Sequence, residues 1–221
     1  MKKAMGLLLV LAMMSAGCAS MGKAPNEEVQ IPHEVRTVDL GNGITMELLP
    51  IPAGSFIMGS ENGDDREKPL HQVTISQSFW MAKTEVTQAL WNQVMGSNRS
   101  YFKGDDSPVD SVNWEDAVSF CTKLTEIERQ AGRLPEGYVY TLPTEAQWEY
   151  ACRAGTTGDY ATSTGSGQAG SLDAMGWYSS NSGSKTHPVG KKQANAWGFH
   201  DMHGNVWEWC LDWYGSVGQC D

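Results

Sequence analysis

A chain of 221 residues is long enough to bury one ordinary domain core, and its 16 Lys+Arg against 26 Asp+Glu give a formal net charge of −10. Such a surface repels phosphate backbones and anionic lipid heads, and no Lys/Arg cluster offsets it, which excludes nucleic acid as a partner. The nine Trp and 24 Gly, both high for this length, predict a loop-rich fold whose irregular backbone is held by aromatic anchors.

The chain opens MKKAMGLLLVLAMMSAGC: two lysines, an apolar run from Ala4 to Met14, then Ser15, Ala16 and Gly17 before Cys18. That run is too short for the ~20 residues of a spanning helix but fits the ~7–15 of a secretory h-region. Its small-small-Cys ending resembles a bacterial lipobox, with Ser15 where Leu is commonest. Residues 1–17 are therefore expected to be a signal peptide, and Cys18 a lipidated first residue. Losing Lys2 and Lys3 would leave 14 basic against 26 acidic residues, a net −12. Residues 18–43 are polar and Pro-containing, as a tether between membrane and domain would be, and the folded domain is expected over 44–221. The expected location is the bacterial cell envelope, with the membrane touched through the lipid anchor only.

Export would place Cys121, Cys152, Cys210 and Cys220 in an oxidising compartment, where disulfides are expected. Four cysteines allow three pairings, and spacing does not choose among them. None forms a CxxC, which argues against a structural zinc site or a thioredoxin-like pair.

Taken in order, Thr45–Met58 and the stretch HQVTISQSFWMAKTEV read as short strands broken by Pro and Gly, with Val73, Ile75, Phe79 and Met81 at alternate positions. Thr87 is placed to cap QALWNQVM, with Gly96 as its stop. Asn113 is placed to cap WEDAVSFCTKLTEIERQ, whose Ala117, Cys121, Leu124 and Ile127 form one stripe. Thr144 and Gln147 make a capping box ahead of EAQWEYACRA, which Gly155 ends. From Thr156 to Gly190 the chain is Gly/Ser-rich and reads as loop. The fold class is α+β with an unusual share of irregular structure.

Candidate chemistry is sparse. GSGQAG (Gly165–Gly170) has the GxGxxG form, but no helix is expected after it and Gly190 stands where a ribose-binding acid would, so it reads as surface loop. No HExxH or GxSxG occurs, and His200 and His203 sit in a Gly-broken stretch that does not favour a shared metal. DMHGNVWEWCLDWYG, Asp201 to Gly215, is different. Asp201 and Glu208 are hard oxygen donors, and Gly204 between them lets the backbone turn its carbonyls inward, the way calcium collects ~6–8 oxygens. The bland alternative has Asp201 capping a turn and Glu208 paired with an Arg. Trp207, Trp209, Trp213 and Tyr214 read as core aromatics.

Several ordered segments carry a resemblance: IPAGSFIMGS, KTEVTQALWNQVMG, PVDSVNWEDAVSFC, LPTEAQWEYACRAG and HPVGKKQANAWGFHDMHGNVWEWCLDWYG. From about Thr45 to Gly215 the chain resembles the formylglycine-generating, sulfatase-modifying-factor family. The resemblance implies an irregular C-type-lectin-like fold with little regular secondary structure. It implies a structural calcium ion held by the side chains of Asp201 and Glu208 and the carbonyls of Gly204 and Val206, with Asp201 replacing a commoner Asn. A second family calcium site would use Asn181, although the loop that supplies its other ligands is shortened here to SGSK.

Family members continue with an RGGSW-type strand and with two cysteines that bind copper and oxidise a sulfatase cysteine to formylglycine. Those segments are not found here, and Cys210 and Cys220 do not match the two cysteines. The resemblance therefore implies an incomplete C-terminal part, an open aromatic edge beside Trp207–Tyr214, no catalytic residue in this chain, and copper only if a further segment supplied two cysteines. Family disulfides from the Cys121 and Cys152 positions would also lack their partners. Three functions follow as expectations. One is an incomplete relative of the oxidase, with a sulfatase-like protein as substrate. The second is a lipid-anchored, lectin-like display domain for a surface ligand. The third is a fragment of a non-heme-iron relative, whose iron histidines would lie on a helical domain not found here.

Overall fold

The computed structural model describes residues 5–6, 10–13, 34–158, 160 and 169–213. Cys18, Tyr214 and Cys220 lie outside the described residues, as does most of the expected tether. In chain order the elements are β1 (Met5–Gly6), β2 (Val10–Met13), β3 (Arg36–Asp39), β4 (Thr45–Ile51), β5 (Gly54–Met58), β6 (His71–Ile75), β7 (Phe79–Ala82), α1 (Gln88–Met95), α2 (Trp114–Gln130), β8 (Tyr138–Thr141), α3 (Glu145–Arg153), α4 (Ala169–Met175) and β9 (Trp207–Glu208). The α+β class is observed, with the strands short and most connections irregular.

The main sheet runs β3–β4–β7–β2–β8 with every neighbouring pair antiparallel. Strand β4 alternates, with Met46 and Leu48 inside and Glu47 outside, because only one face of that edge region is covered. Strand β7, FWMA, is buried at all four positions, so the alternation expected through Phe79 and Met81 gives way there to an apolar run covered on both faces. Strands β5 and β6 form a separate hairpin.

The three expected helices are present with their expected caps. Thr87 Oγ1 accepts from the Leu90 amide, and Gly96 takes the left-handed conformation at φ 77°. Asn113 and Asp116 cap α2 reciprocally, as do Thr144 and Gln147 for α3. Helix α2 lays Ala117, Phe120, Cys121 and Leu124 into the core, with Phe120 stacked on Trp91 of α1 at 5.2 Å between centroids. Thr125 fastens α2 to β8: its hydroxyl donates to the Cys121 carbonyl (2.8 Å) and accepts from the Tyr140 amide (2.9 Å).

Three expectations need correction. The Thr156–Gly190 segment is not loop throughout, since α4 begins inside the GSGQAG motif. The aromatic run is not uniformly core: Trp209 packs against the core, but Trp207 is 60% exposed and Trp213 95% exposed. Strand β9 ends at Glu208, so Trp209 and Trp213 follow the irregular path beyond it, where Trp209 donates from Nε1 to the Val112 carbonyl at 3.1 Å. Nor is the edge at Trp207–Glu208 wholly open: Met5–Gly6 pairs with one side of it in parallel, and the other side has no strand partner among the described residues.

The stretch expected to be a leader thus supplies two strands. Beyond β1, strand β2 lies inside the main sheet, with Val10 opposite both Met81 and Thr141. Val10 is fully buried.

Candidate metal centre

The 201–208 segment is bent by three residues with positive φ: Asp201 at 59°, Gly204 at 149° and Asn205 at 66°. Only glycine suits the Gly204 position, both for its φ and because a Cβ there would stand 2.1 Å from the Trp177 carbonyl oxygen. Asn205 pins the bend to the preceding loop. Its amide donates to Trp177 O (2.8 Å), its Oδ1 accepts from the His187 amide (2.9 Å), and its Nδ2 donates to His187 O (3.1 Å).

The bend is carried to the end of β7 by one backbone bond, His200 N–H to Lys83 O at 3.0 Å. That bond sets Asp201 beside Glu85, two residues beyond Lys83. Glu85 is 1% exposed and neither of its carboxylate oxygens has a hydrogen-bond partner. Asp201 is 2% exposed; its Oδ2 accepts from the Gly190 amide at 2.7 Å, but its Oδ1 has no partner. Glu208 turns its carboxyl end inward from β9, where Oε2 accepts a hydrogen bond from Trp148 Nε1 of α3. The partner observed for Glu208 is thus Trp148, where the bland alternative had an arginine.

Burial, followed by the charges of Asp201 and Glu208, holds the Glu85 carboxyl well above the usual range. Burial raises Asp201 as well. Glu208 is pushed up to about 8, again chiefly by burial. Native interiors rarely leave carboxylate oxygens unpaired, since an uncompensated buried charge costs several kcal/mol. Two things would relieve this cluster: retained protons, or a hard cation among the oxygens. Among the described residues no three His, Cys, Asp or Glu side chains close tightly enough round one point to hold an ion by themselves. A cation there would have to draw further oxygens from backbone carbonyls. The expected ligand set has that character, with two carboxylates and the carbonyls of Gly204 and Val206. The orphaned oxygens of Glu85 and Asp201 show that the donor chemistry fits.

Glu85 is the site residue that the motif reading missed. Its only signal was an acid shortly after the apolar run FWMA, and Lys83 between them is itself partly exposed, so spacing did not show that Glu85 turns inward. Beside it opens a cavity of about 420 Å³ lined by Glu47, Lys83, Glu85, Gly190 and His200 among others.

The other candidates fall elsewhere. Asn181 has its amide engaged, with Oδ1 accepting from the Tyr178 amide (2.8 Å) and Nδ2 donating to Gly176 O (3.0 Å). His200 contacts Lys192 O through Nδ1 at 2.9 Å, whereas His203 lies against Cys152 Sγ at 3.9 Å. Among the described residues Cys121, Cys152 and Cys210 form no disulfide. Burial pushes the Cys121 and Cys152 thiols up to about 12 and raises Cys210 further.

Comparison with known proteins agrees with this fold. The chain is 32% identical over 213 residues to the chaperone protein LppX of Paenibacillus barcinonensis, covering 77% of this chain and 73% of that protein. It is 30% identical over 218 residues to the formylglycine-generating enzyme of Mycobacterium tuberculosis, covering 74% and 73%. The solved structure of Treponema denticola variable protein 1 superposes with a TM-score of 0.73 at 31% identity, covering 85% of this chain and 80% of that one. The family model described as the sulfatase-modifying factor enzyme 1-like domain matches residues 41–220, and the chain belongs to that family.

Proposed function

We propose that this chain is a lipid-anchored, calcium-stabilised binding domain of the bacterial cell envelope and performs no thiol oxidation with its described cysteines. The observation that carries the reading is the state of the thiols. Copper binding and attack on a substrate cysteine both require thiolates. Cys121 and Cys152 are instead buried and Cys210 half-buried, none of the three in a disulfide, and burial raises all three thiols, which disfavours the thiolate. The kinship to a protein named a chaperone supports a role in binding.

Calcium enters this reading as a structural ion. Asp201 and Glu208 would hold it with the Gly204 and Val206 carbonyls, and Glu85 would face the same cluster. The ion would neutralise carboxylates that otherwise keep their protons or repel one another. Export and anchoring through Cys18 rest on the N-terminal pattern of basic, apolar and small residues ahead of that cysteine.

A second reading, oxidation of a sulfatase-like cysteine, is favoured by the identity to a formylglycine-generating enzyme. One assay separates the two. Protein purified from the envelope is loaded with copper and supplied with oxygen and a cysteine-containing sulfatase peptide. The proposal expects the peptide to keep its thiol, and conversion to the aldehyde would overturn it. Mass spectrometry of the same sample tests the lipid on Cys18.

A further inference from the structure

Between the end of β7 and helix α1 the chain reads KTEVT, Lys83 to Thr87. Four of these five residues, all but Val86, line the cavity of about 420 Å³. Glu85 is its innermost charged group, 1% exposed and with neither oxygen hydrogen-bonded among the described residues. Lys83 stands nearer solvent, and its ammonium is already engaged by Glu47 at 2.7 Å. Gly190 forms part of the wall. Its amide donates to Asp201 Oδ2 at 2.7 Å, so a second buried acid lies directly behind that wall. The inner end of the cavity is therefore electronegative. Met46, Leu90 and Val189 give the same cavity an apolar side. An anion finds no unengaged lysine there, and a bare metal ion would leave most of the volume and the apolar side unused.

We propose that this cavity is a binding site for a small primary amine, with its ammonium head toward Glu85 and a short aliphatic body along Met46, Leu90 and Val189. The carboxyl, ionised or not, offers oxygen lone pairs, and the ammonium brings the donors and the counter-charge that it lacks. Away from bulk water such a pair attracts more strongly than one at the surface. The volume is at the low end for small-molecule sites, which run from about 300 to 1,000 Å³, and so favours a compact ligand. This deepens the reading of the chain as a binding domain by naming a ligand class. The measurements below use neither lipid, copper nor calcium, so their failure leaves that reading standing.

The test titrates the full chain, in chelator at neutral pH, with n-butylamine and with its neutral counterpart n-butanol. Amide NMR shifts are followed at Lys83, Thr84, Gly190 and His200. Butylammonium should move these amides saturably, with a Kd of about 1–10 mM, the range open to a ligand of so few atoms. Butanol should bind at least about tenfold more weakly, because it cannot supply the charge. Glu85→Gln keeps the shape of the side chain and should weaken butylammonium by at least about tenfold. Asp65→Asn makes the same change of charge at a fully exposed side chain and should alter the Kd by less than about twofold. That control separates the cavity from general attraction of amines to an acidic surface.

Any of four results would overturn the proposal: no saturable shift below about 100 mM butylamine; equal binding of butanol; wild-type affinity in a folded Glu85→Gln chain; or losses of the same size in Glu85→Gln and Asp65→Asn. Should Glu85→Gln fail to fold, the comparison of butylamine with butanol on the wild-type chain decides.

Discussion

Glu85 and Asp201 bury their carboxylates side by side where the end of β7 meets the 201–208 bend, and three of their four oxygens accept no hydrogen bond. Each alone would be a costly buried acid. Together with Glu208 they form a centre whose energy depends on what neutralises it, and that dependence makes it testable.

Adding calcium to chelator-treated protein should raise the melting temperature. At about 2–4 °C per kcal/mol for a chain of this size, cation stabilisation of about 2 kcal/mol would appear as roughly 4–8 °C. Glu85→Gln removes one buried charge while keeping the shape of the side chain. It should raise the melting temperature in chelator and shrink the calcium increment to less than about half the wild-type value. An unchanged calcium increment would separate Glu85 from the ion.

The pH dependence has a defined sign. Glu208 titrates near 8 in the fold, above an ordinary carboxyl, chiefly through burial. A raised carboxyl pKa means that the folded chain binds protons more tightly than the unfolded chain. Its stabilising contribution is complete below the ordinary carboxyl range and is lost as pH rises through the folded value. In chelator, the melting temperature should therefore fall between about pH 5 and about pH 8. Excess calcium should offset that fall, because the cation needs the ionised form, so the gap between the two melting curves should widen with pH. A gap that narrows as pH rises would contradict a carboxylate-bound ion.

Gly204→Ala should destabilise the fold by about 2–4 kcal/mol. The added Cβ would meet the Trp177 carbonyl oxygen at 2.1 Å on a backbone held at φ 149°, and neither can yield without moving the bend. Gly132→Ala is the control: it also has a positive φ, 68°, but nothing stands within 4 Å of its Cβ. It should cost about 1 kcal/mol. Urea midpoints compare the two, and equal shifts would remove the close-packing argument.

Thiol chemistry gives a further check. Cys121 and Cys152 are buried, with thiols pushed up to about 12, and so carry almost no thiolate at neutral pH. Both should resist iodoacetamide in the native state and react fully in denaturant, at a native rate at least about a hundredfold slower. Rapid native labelling of Cys152 would show that its contact with His203 activates it.

Thr125→Val should cost about 1–3 kcal/mol, because the Tyr140 amide would then be buried with no acceptor. The midpoint of chemical denaturation reads this directly, and a cost near zero would mean that β8 finds another acceptor.

Much of the local structure was legible along the chain. Thr87, Asn113 and Thr144 cap the helices expected of them, because a cap is chemistry between residues three apart. Phe79 and Met81 announced a strand by their alternate positions, but that Trp80 and Ala82 are buried as well was not legible in that spacing. At the carboxylate cluster Asp201, Gly204 and Glu208 could be picked out because they lie in one bend. Glu85, more than a hundred residues earlier, could not be joined to them by spacing alone.

The sequence by itself determined the helix ends, the fold class, the acidic surface and the carboxylate-flanked turn, all set by interactions between neighbours in the chain. Only the tertiary structure decided that Glu85 shares the centre with Asp201, that Trp213 faces solvent while Trp209 packs inward, and that Val10–Met13 closes the main sheet. Each of those depends on which distant backbone edge comes within hydrogen-bonding distance. A strand's pairing is fixed by the geometry of the partner it meets, and its own residues carry no record of that partner.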